Sequence, residues 1–180
     1  MDYDYWAERI EKNIPGLMSQ NEVKFIMRCV KSSPRKGYCV NLGTYLGKST
    51  AAICAATSQE VITMDTFKYT GRLGQSSPKL VRANLAKLNL NANILVHSTS
   101  AKVSSIVRKV SFLFIDTHHT ARQLNAELDI WLPYMAARGV IALHDYHRKY
   151  PGYVTTIDTR LKKHWEFLGL HDTVIGFRKP

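Results

Sequence analysis

The run Cys39-Val40-Asn41-Leu42-Gly43-Thr44-Tyr45-Leu46-Gly47-Lys48-Ser49-Thr50 restricts this chain more than any other stretch. It begins apolar, passes two glycines and continues into Ala51-Ala52-Ile53, the pattern of a buried strand, a tight loop and a helix start. Gly43 lets the backbone turn without a Cβ clash, and Gly47 lets a ligand or a neighbouring strand approach closely. The free N–H groups of the helix start would face whatever the loop holds. The spacing is G-x-x-x-G, which is neither the G-x-G-x-x-G dinucleotide fingerprint nor a Walker A loop. Gly43 stands one position too close to Gly47-Lys48-Ser49 for the latter. A plain tight turn would look the same, so the loop alone does not establish a binding site.

Support comes from Val61-Ile62-Thr63-Met64-Asp65, a second apolar run that ends in a carboxylate. It lies about 20 residues on, where doubly wound sheets place the acid that accepts hydrogen bonds from ribose hydroxyls. The alternative for Asp65 is an ordinary cap or turn aspartate.

The rest of the chain keeps the rhythm. A helix is expected over Tyr3 to Asn13, stopped by Pro15-Gly16, and a second after the capping signal Ser19-Gln20-Asn21-Glu22. The helix after the glycine loop should run to about Ser58. Tyr69 to Pro78 reads as a mobile surface loop on the ligand side, and Lys79 to Leu88 as a helix. Ile94-Leu95-Val96 is a third strand, followed by His97, Thr99 and Ser100, with a short helix over Ala101 to Lys109. Val110 to Ile115 is a fourth strand, ending in Asp116-Thr117-His118-His119. A helix over Ala121 to Met135 leads to a strand over Gly139 to Leu143 that ends in His144-Asp145. A loop to Tyr153, a helix over Val154 to Trp165 and a last strand over Thr173 to Arg178 complete the chain. Apolar strands alternating with helices give an α/β fold: a Rossmann-like, doubly wound, mostly parallel sheet covered on both faces. The 180 residues are expected to form a single domain, with residues 1–36 as N-terminal helices and 37–180 as the core.

Composition narrows the classes. No apolar run approaches the ~20 residues of a membrane span, and the acidic, aromatic start Met1 to Trp6 is unlike a signal peptide. Cys29, Cys39 and Cys54 are an odd number without a Cys-x-x-Cys pair, which fits buried reduced thiols in a cytoplasmic protein and argues against zinc. The formal charge of +11 favours anionic partners, nucleic acid among them. The basic residues are scattered and match no nucleic-acid motif, so a solvated basic face is preferred.

In such a sheet ligands bind at the carboxyl ends of the strands. The candidates there are Gly43 to Ser49, Asp65, Thr99-Ser100, Asp116 to His119 and His144-Asp145. A carboxylate directly after four apolar strand residues, as at Asp116, is costly to bury unless it is used. With His144-Asp145 it could hold a divalent cation, Mg²⁺ or Mn²⁺ for a carboxylate-rich set, with imidazoles tilting the set toward Mn²⁺, Fe²⁺ or Zn²⁺. A hydrogen-bonded turn is the plain alternative for His144 to His147.

The ordered set Asn41 to Ser49, Met64-Asp65, Phe114 to His119, Trp131-Leu132-Pro133, Gly139 to Asp145 and Pro151-Gly152-Tyr153 resembles class I S-adenosylmethionine-dependent methyltransferases. It is most similar to methyltransferase family 24, related to sugar and macrolide O-methyltransferases and cephalosporin-hydroxylase-like proteins. The resemblance spans about residues 20 to 178 and implies a seven-stranded type of sheet with an antiparallel last strand. It implies that Asn41, Gly43, Thr44, Tyr45, Gly47 and Ser49 wrap the methionine part of the cofactor, and that Asp65 and Thr66 bind at the ribose. Thr99 and Ser100 would sit beside the adenine, with Asp116 at the cofactor's edge. Asp116 and Asp145 match metal-holding positions, and His144 fills a place where some relatives carry an acidic ligand. His119 is the implied general base, with His144 and Asp116 as further catalytic candidates. The sequence departs from the pattern at Asn41, where an acid is usual, at Thr117 in place of glycine, and at Glu127 in place of aspartate.

The implied reaction is in-line methyl transfer to an oxygen of a small, anionic, hydroxylated acceptor, aided by a metal that lowers the hydroxyl pKa. An imidazole, with an ordinary pKa of about 6.5, can take the proton at neutral pH. The rivals are a nucleic-acid methyltransferase, motivated by the charge, and a non-catalytic cofactor-binding protein, motivated by Asn41 and the small size. Tyr3, Tyr5, Trp6 and Trp165-Glu166-Phe167 could pack on a second copy as a homodimer or cover their own core.

Overall fold

The computed structural model describes residues 1–99 and 109–180. In chain order its elements are α1 (Tyr3–Asn13), α2 (Gln20–Ser32), β1 (Tyr38–Leu42), α3 (Lys48–Ala56), β2 (Val61–Asp65), β3 (Thr70–Gly71), β4 (Gly74–Gln75), α4 (Pro78–Ala86), β5 (Asn93–Val96), β6 (Val110–Ile115), α5 (Ala121–Trp131), β7 (Met135–Leu143), α6 (Pro151–Ile157), β8 (Glu166–His171) and β9 (Val174–Arg178). Seven strands form one sheet in the order β5-β2-β1-β6-β7-β9-β8. The first five in that order pair in parallel, and β9 runs antiparallel to both β7 and β8.

Alternation along the strands explains the burial on both faces. Cys39, Phe112, Phe114, Val140 and Ala142 point to the face covered by α1, α2, α3 and α4. Val40, Leu42, Leu113, Ile115, Ile141 and Leu143 point to the face covered by α5 and α6, where Leu124, Leu128, Trp131, Tyr153 and Ile157 meet them. All six residues of β6 are buried, which is why its sequence is a near-continuous apolar run. Between β1 and β6 the chain reverses its direction of travel across the sheet. The carboxyl ends of these two strands therefore flank a crevice that helices do not close.

Several boundaries differ from the sequence reading. The helix expected to reach Met135 stops at Trp131, passes through a 3₁₀ turn at Leu132–Tyr134 and gives way to β7 at Met135. Leu132-Pro133 ends the α-helix because proline supplies no N–H to it. β7 thus starts before Gly139, and the register shift between Val110 and Phe112 absorbs the extra residues. The last helix begins at Pro151 rather than Val154, since proline is tolerated in a first turn, and it runs on into a π-helical turn at Asp158–Lys162. The segment 69–78 holds a small hairpin, β3 with β4. The edge strand β8 has no counterpart among the expected elements: it is mostly exposed or half-buried and contains Gly169, so it carries no strand alternation. The expected helix over 101–109 and the site residue Ser100 lie outside the described residues.

Tyr3 and Trp6 pack on the protein's own core, as does Trp165, while Tyr5 and Phe167 stay exposed. Among the described residues no helix is long and apolar enough to cross a membrane. The three cysteines are free and buried, and burial pushes the Cys29 and Cys54 thiols up to about 12 and Cys39 to about 11, so thiolate chemistry is not open to them.

Candidate functional site

The glycine loop joins β1 to α3. Gly43 has φ +86°, and a Cβ there would fall 1.8 Å from the Asp116 carbonyl oxygen, so glycine is needed for the close approach of β6. Gly47 has φ +92° at the N-cap of α3, where a Cβ would meet Val81 of α4 at 3.1 Å. Both glycines are therefore explained by neighbouring protein. Lys48 turns away from the loop: its ammonium contacts Glu11 and donates to the Met18 carbonyl at 2.8 Å, which ties α1 to α3.

Asp65 ends β2 and faces the loop. Its Oδ2 accepts from the Thr44 and Tyr45 amides at 2.9 and 3.0 Å, and Oδ1 accepts from the Phe67 amide at 2.7 Å. A carboxylate has about four lone-pair sites, so one remains for a ligand hydroxyl. Tyr45 (φ +46°) sends its hydroxyl to β4, accepting from the Leu73 amide at 2.8 Å and donating to the Gly74 carbonyl at 3.3 Å. The hairpin is thereby docked on the loop.

Asn41 is wholly buried. Its amide donates to the Gly43 carbonyl, Thr50 Oγ1 and Thr63 Oγ1 at 3.2, 3.0 and 2.8 Å, and its buried Oδ1 has no partner among the described residues. Thr44 and Thr63 hydroxyls close the same network at 2.6 Å. Ser49 is buried in the first turn of α3, and Thr66 follows Asp65 at the strand end.

Thr99 is buried near the crevice and donates to Glu127 Oε1 at 2.5 Å. Thr117 donates to Glu127 Oε2 at 2.9 Å and Gln123 to Oε1 at 2.8 Å. Two of the three departures from the family pattern thus meet in one contact: Thr117, in place of a glycine, donates to Glu127. Burial raises the Glu127 carboxyl, against the hydrogen bonds it accepts. His97 is exposed; its ring contacts the Ser98 carbonyl at 3.1 Å and its amide donates to the Asp65 carbonyl at 3.0 Å.

The carboxyl ends of β6 and β7 bring Asp116, His119, His144 and Asp145 together, with one ligand-capable atom from each lying within 4.8 Å of the others. His119 Nε2 lies 3.5 Å from Asp116 Oδ1 and 3.2 Å from Asp145 Oδ2. His144 Nδ1 lies 3.3 Å from Asp116 Oδ1 and 3.5 Å from Asp145 Oδ2. Among the described residues neither nitrogen has a hydrogen-bond partner, although both are buried. Asp145 sits at φ +58°, a strained region for a residue with a Cβ, held by the Tyr146 amide donating to the Thr173 carbonyl at 2.9 Å.

The charges reinforce one another. Burial disfavours ionised His144, but the Asp116 carboxylate and then Asp145 and Glu22 outweigh it and push the imidazolium up to about 12. Burial likewise opposes ionised Asp116 and Asp145, and the facing histidines hold both carboxyls below their ordinary range. Without a divalent cation this end of the sheet is a web of compensating charges.

Two residues of the site carry a different reading in the sequence. Glu22 reads as a capping residue and does close the capping box at Ser19, and its Oε1 also lies 3.4 Å from His144 Nε2 and accepts from the Thr173 amide and hydroxyl at 3.1 and 2.6 Å. Burial works against the charge, yet these partners bring its carboxyl down to about 2. No local sequence signal links Glu22 to a residue on β7's end. Tyr153 stands out in the sequence only as part of the motif Pro151-Gly152-Tyr153. Its buried hydroxyl has no partner among the described residues, its ring stands edge-on to His119 at 5.4 Å, and burial raises its pKa well above the usual value.

A cavity of about 380 Å³ lined by Gln59, Glu60, Val61, Asn91, Ala92 and Asn93 opens at the opposite, amino end of β2 and β5, away from this chemistry.

A family model described as a methyltransferase domain matches residues 40–146. No curated protein matches the sequence. Among solved structures, the O-methyltransferase NovP is similar over 99% of both chains, at 14% identity and TM-score 0.78. A SAM-dependent O-methyltransferase from Thermotoga maritima is similar at 16% identity and TM-score 0.70, covering 96% of this chain and 69% of its own. CalS11, a TDP-rhamnose 3'-O-methyltransferase of calicheamicin biosynthesis, is similar at 15% identity and TM-score 0.66, covering 87% of this chain and 76% of its own. At these identities the likeness carries the fold.

Proposed function

The chain belongs to the methyltransferase-domain family, in its class I, family 24-like branch, and from that premise we propose that it transfers a methyl group from S-adenosylmethionine to a hydroxyl oxygen of a small, anionic acceptor. The observation that carries this reading is the meeting of Asp116, His119, His144 and Asp145 beside the β1–α3 loop, because oxygen methylation needs a hydroxyl deprotonated next to the cofactor.

The cofactor's fit rests on donors and acceptors already placed. Asp65 keeps one acceptor site for a ribose hydroxyl, and the orphaned Asn41 Oδ1 suits an ammonium donor from the methionine part. Gly43, Thr44, Tyr45, Gly47 and Ser49, on the loop and first helical turn, are the proposed wrap of that part, with Thr66 proposed at the ribose and Thr99 at the adenine. When bound, S-adenosylmethionine supplies an electrophilic methyl group. The chain's own work is then to orient the acceptor for in-line approach and to take its proton.

Asp116, Asp145 and His144 are the proposed holders of Mg²⁺ or Mn²⁺, and the orphaned His144 Nδ1 fits such an ion. A divalent cation there would lower the pKa of an acceptor hydroxyl. His119 is the proposed acceptor of the substrate's proton in the metal-free site, while Asp116 and His144 fix its surroundings. A cytoplasmic location accords with the absence of a long apolar helix among the described residues and with the free thiols, and one domain over residues 1–180 accords with α1 and α2 packing on the sheet.

The test is release of S-adenosylhomocysteine from S-adenosylmethionine in the presence of hydroxylated anionic acceptors, such as nucleotide sugars, with and without Mn²⁺. Metal-stimulated release that Asp116→Asn and Asp145→Asn abolish supports the reading. Release without dependence on either residue, or only with RNA as acceptor, overturns it.

A further inference from the structure

We infer that Asp116, His119, His144 and Asp145 together form a four-ligand site for a divalent first-row transition metal, Mn²⁺ or Fe²⁺ in preference to Mg²⁺, with Glu22 of α2 as the residue that positions His144. The inference rests on the metal reading proposed above, and it is independent of methyl transfer and of the acceptor.

Geometry is the first ground. The four histidine-to-aspartate edges measure 3.5, 3.2, 3.3 and 3.5 Å, and the four atoms lie within 4.8 Å of one another. Bonds of about 2.1 Å to one ion place neighbouring ligand atoms roughly 3.0 Å apart at a right angle and roughly 3.4 Å apart at the tetrahedral angle. The observed edges fall at that spacing. The second ground is directional. If this were only a cluster of ion pairs, each imidazole would aim an N–H at a carboxylate oxygen. Instead His119 Nε2 and His144 Nδ1 are both buried and, among the described residues, neither makes a hydrogen bond, although each lies 3.2–3.5 Å from two carboxylate oxygens.

The donor set decides the class of ion. Mg²⁺ favours oxygen and keeps its waters, whereas two imidazoles with two carboxylates suit Mn²⁺, Fe²⁺ and their neighbours. Glu22 completes the arrangement from behind. Its Oε1 faces the far nitrogen of His144 at 3.4 Å, the carboxylate–histidine–metal relation that fixes which ring nitrogen is free to ligate. Glu22 is itself held, because the Ser19 amide donates to its Oε2 at 2.9 Å and Thr173 donates twice to Oε1. With the ion bound His119 is a ligand through Nε2, so the base role proposed above belongs to the metal-free protein, and the metal's lowering of the hydroxyl pKa takes its place.

The full chain, stripped with chelator and without S-adenosylmethionine, is titrated with Mn²⁺, following free Mn²⁺ by electron paramagnetic resonance, with Mg²⁺ as competitor. Electron spin-echo spectra of the bound ion count the nitrogens attached. We expect Mn²⁺ to bind at least ~10-fold tighter than Mg²⁺ and to show two imidazole nitrogens. His119→Ala should remove one nitrogen and weaken binding by at least ~10-fold. Glu22→Gln should weaken it by about 10–100-fold while keeping both nitrogens, and should shift the coupling of one of them, which a purely structural role at the helix cap would not do. Equal affinity for Mg²⁺, fewer than two nitrogens, or unchanged affinity in His119→Ala would overturn the site, and an unchanged coupling in Glu22→Gln would overturn the role of Glu22. Unfolding temperature reads whether the His119→Ala variant keeps its fold. S-adenosylmethionine binding, measured separately, stays intact if the metal inference alone fails.

Discussion

Replacing Asp65 by alanine should do more than remove a ribose acceptor. Its carboxylate holds three backbone amides, those of Thr44, Tyr45 and Phe67, at 2.9, 3.0 and 2.7 Å. Hydrogen bonds to a charged group contribute about 1.5–3 kcal/mol each when well shielded. The site is half-buried and water can replace part of each bond, so the whole staple should contribute about 2–4 kcal/mol. For a chain of this length, each kcal/mol moves the unfolding midpoint by about 2–4 °C, which predicts a fall of roughly 4–16 °C for Asp65→Ala. Asp65→Asn keeps one amide-accepting oxygen and should lose about half as much. Scanning calorimetry of the three proteins without cofactor measures this directly. A midpoint for Asp65→Ala within a degree of the parent would refute the staple, and the loop would then owe its shape to Gly43 and the Asn41 network alone.

Gly43→Ala would place a methyl group 1.8 Å from the Asp116 carbonyl at φ +86°, so β1 and β6 must separate. Expression in the folded state should be lost, or the unfolding free energy should drop by about 3 kcal/mol or more, as read from urea curves. Tyr45→Phe removes the hydroxyl that binds the Leu73 amide and the Gly74 carbonyl, so amide exchange in residues 70–75 should speed by about 5-fold while the global midpoint hardly moves. In the chelator-treated protein His144 stays protonated far above the value of about 6.5 at which the unfolded chain releases that proton. Its contribution is full below that pH, so stability should fall by about 1.4 kcal/mol per unit between pH 7 and 9, and His144→Gln should flatten the slope. Glu22 acts in the other direction: its carboxyl is lowered to about 2, so its contribution is present above the unfolded value of about 4.3 and is lost as the pH falls toward 2.

The fold was legible because the strands that define it are buried on both faces. Val110 to Ile115 and Val61 to Met64 are apolar almost without a break, and no helix pattern competes with them. The polar residues at their ends followed from the same fact, since Asp65, Asp116 and His144-Asp145 appear where the apolar runs stop. What stayed hidden depends on contacts distant in sequence. Glu22 looks like any capping-box acid, and only the antiparallel entry of β9 brings Thr173 and His144 to it. β8 lies at the sheet edge with half of each side chain in water, so its composition does not alternate. Gly47 is read equally well as making room for a ligand or for Val81, and the packing of α4 assigns it to the latter.

The most direct measurement is a calorimetric titration of the full chain with S-adenosylmethionine, below the unfolding temperature of every variant used. The account predicts saturable one-to-one binding that Asp65→Ala removes and that Glu22→Gln leaves intact. Absence of binding by the parent protein, with and without Mn²⁺, would contradict it and would make the loop, Asp65 and Asn41 a self-satisfied structural network.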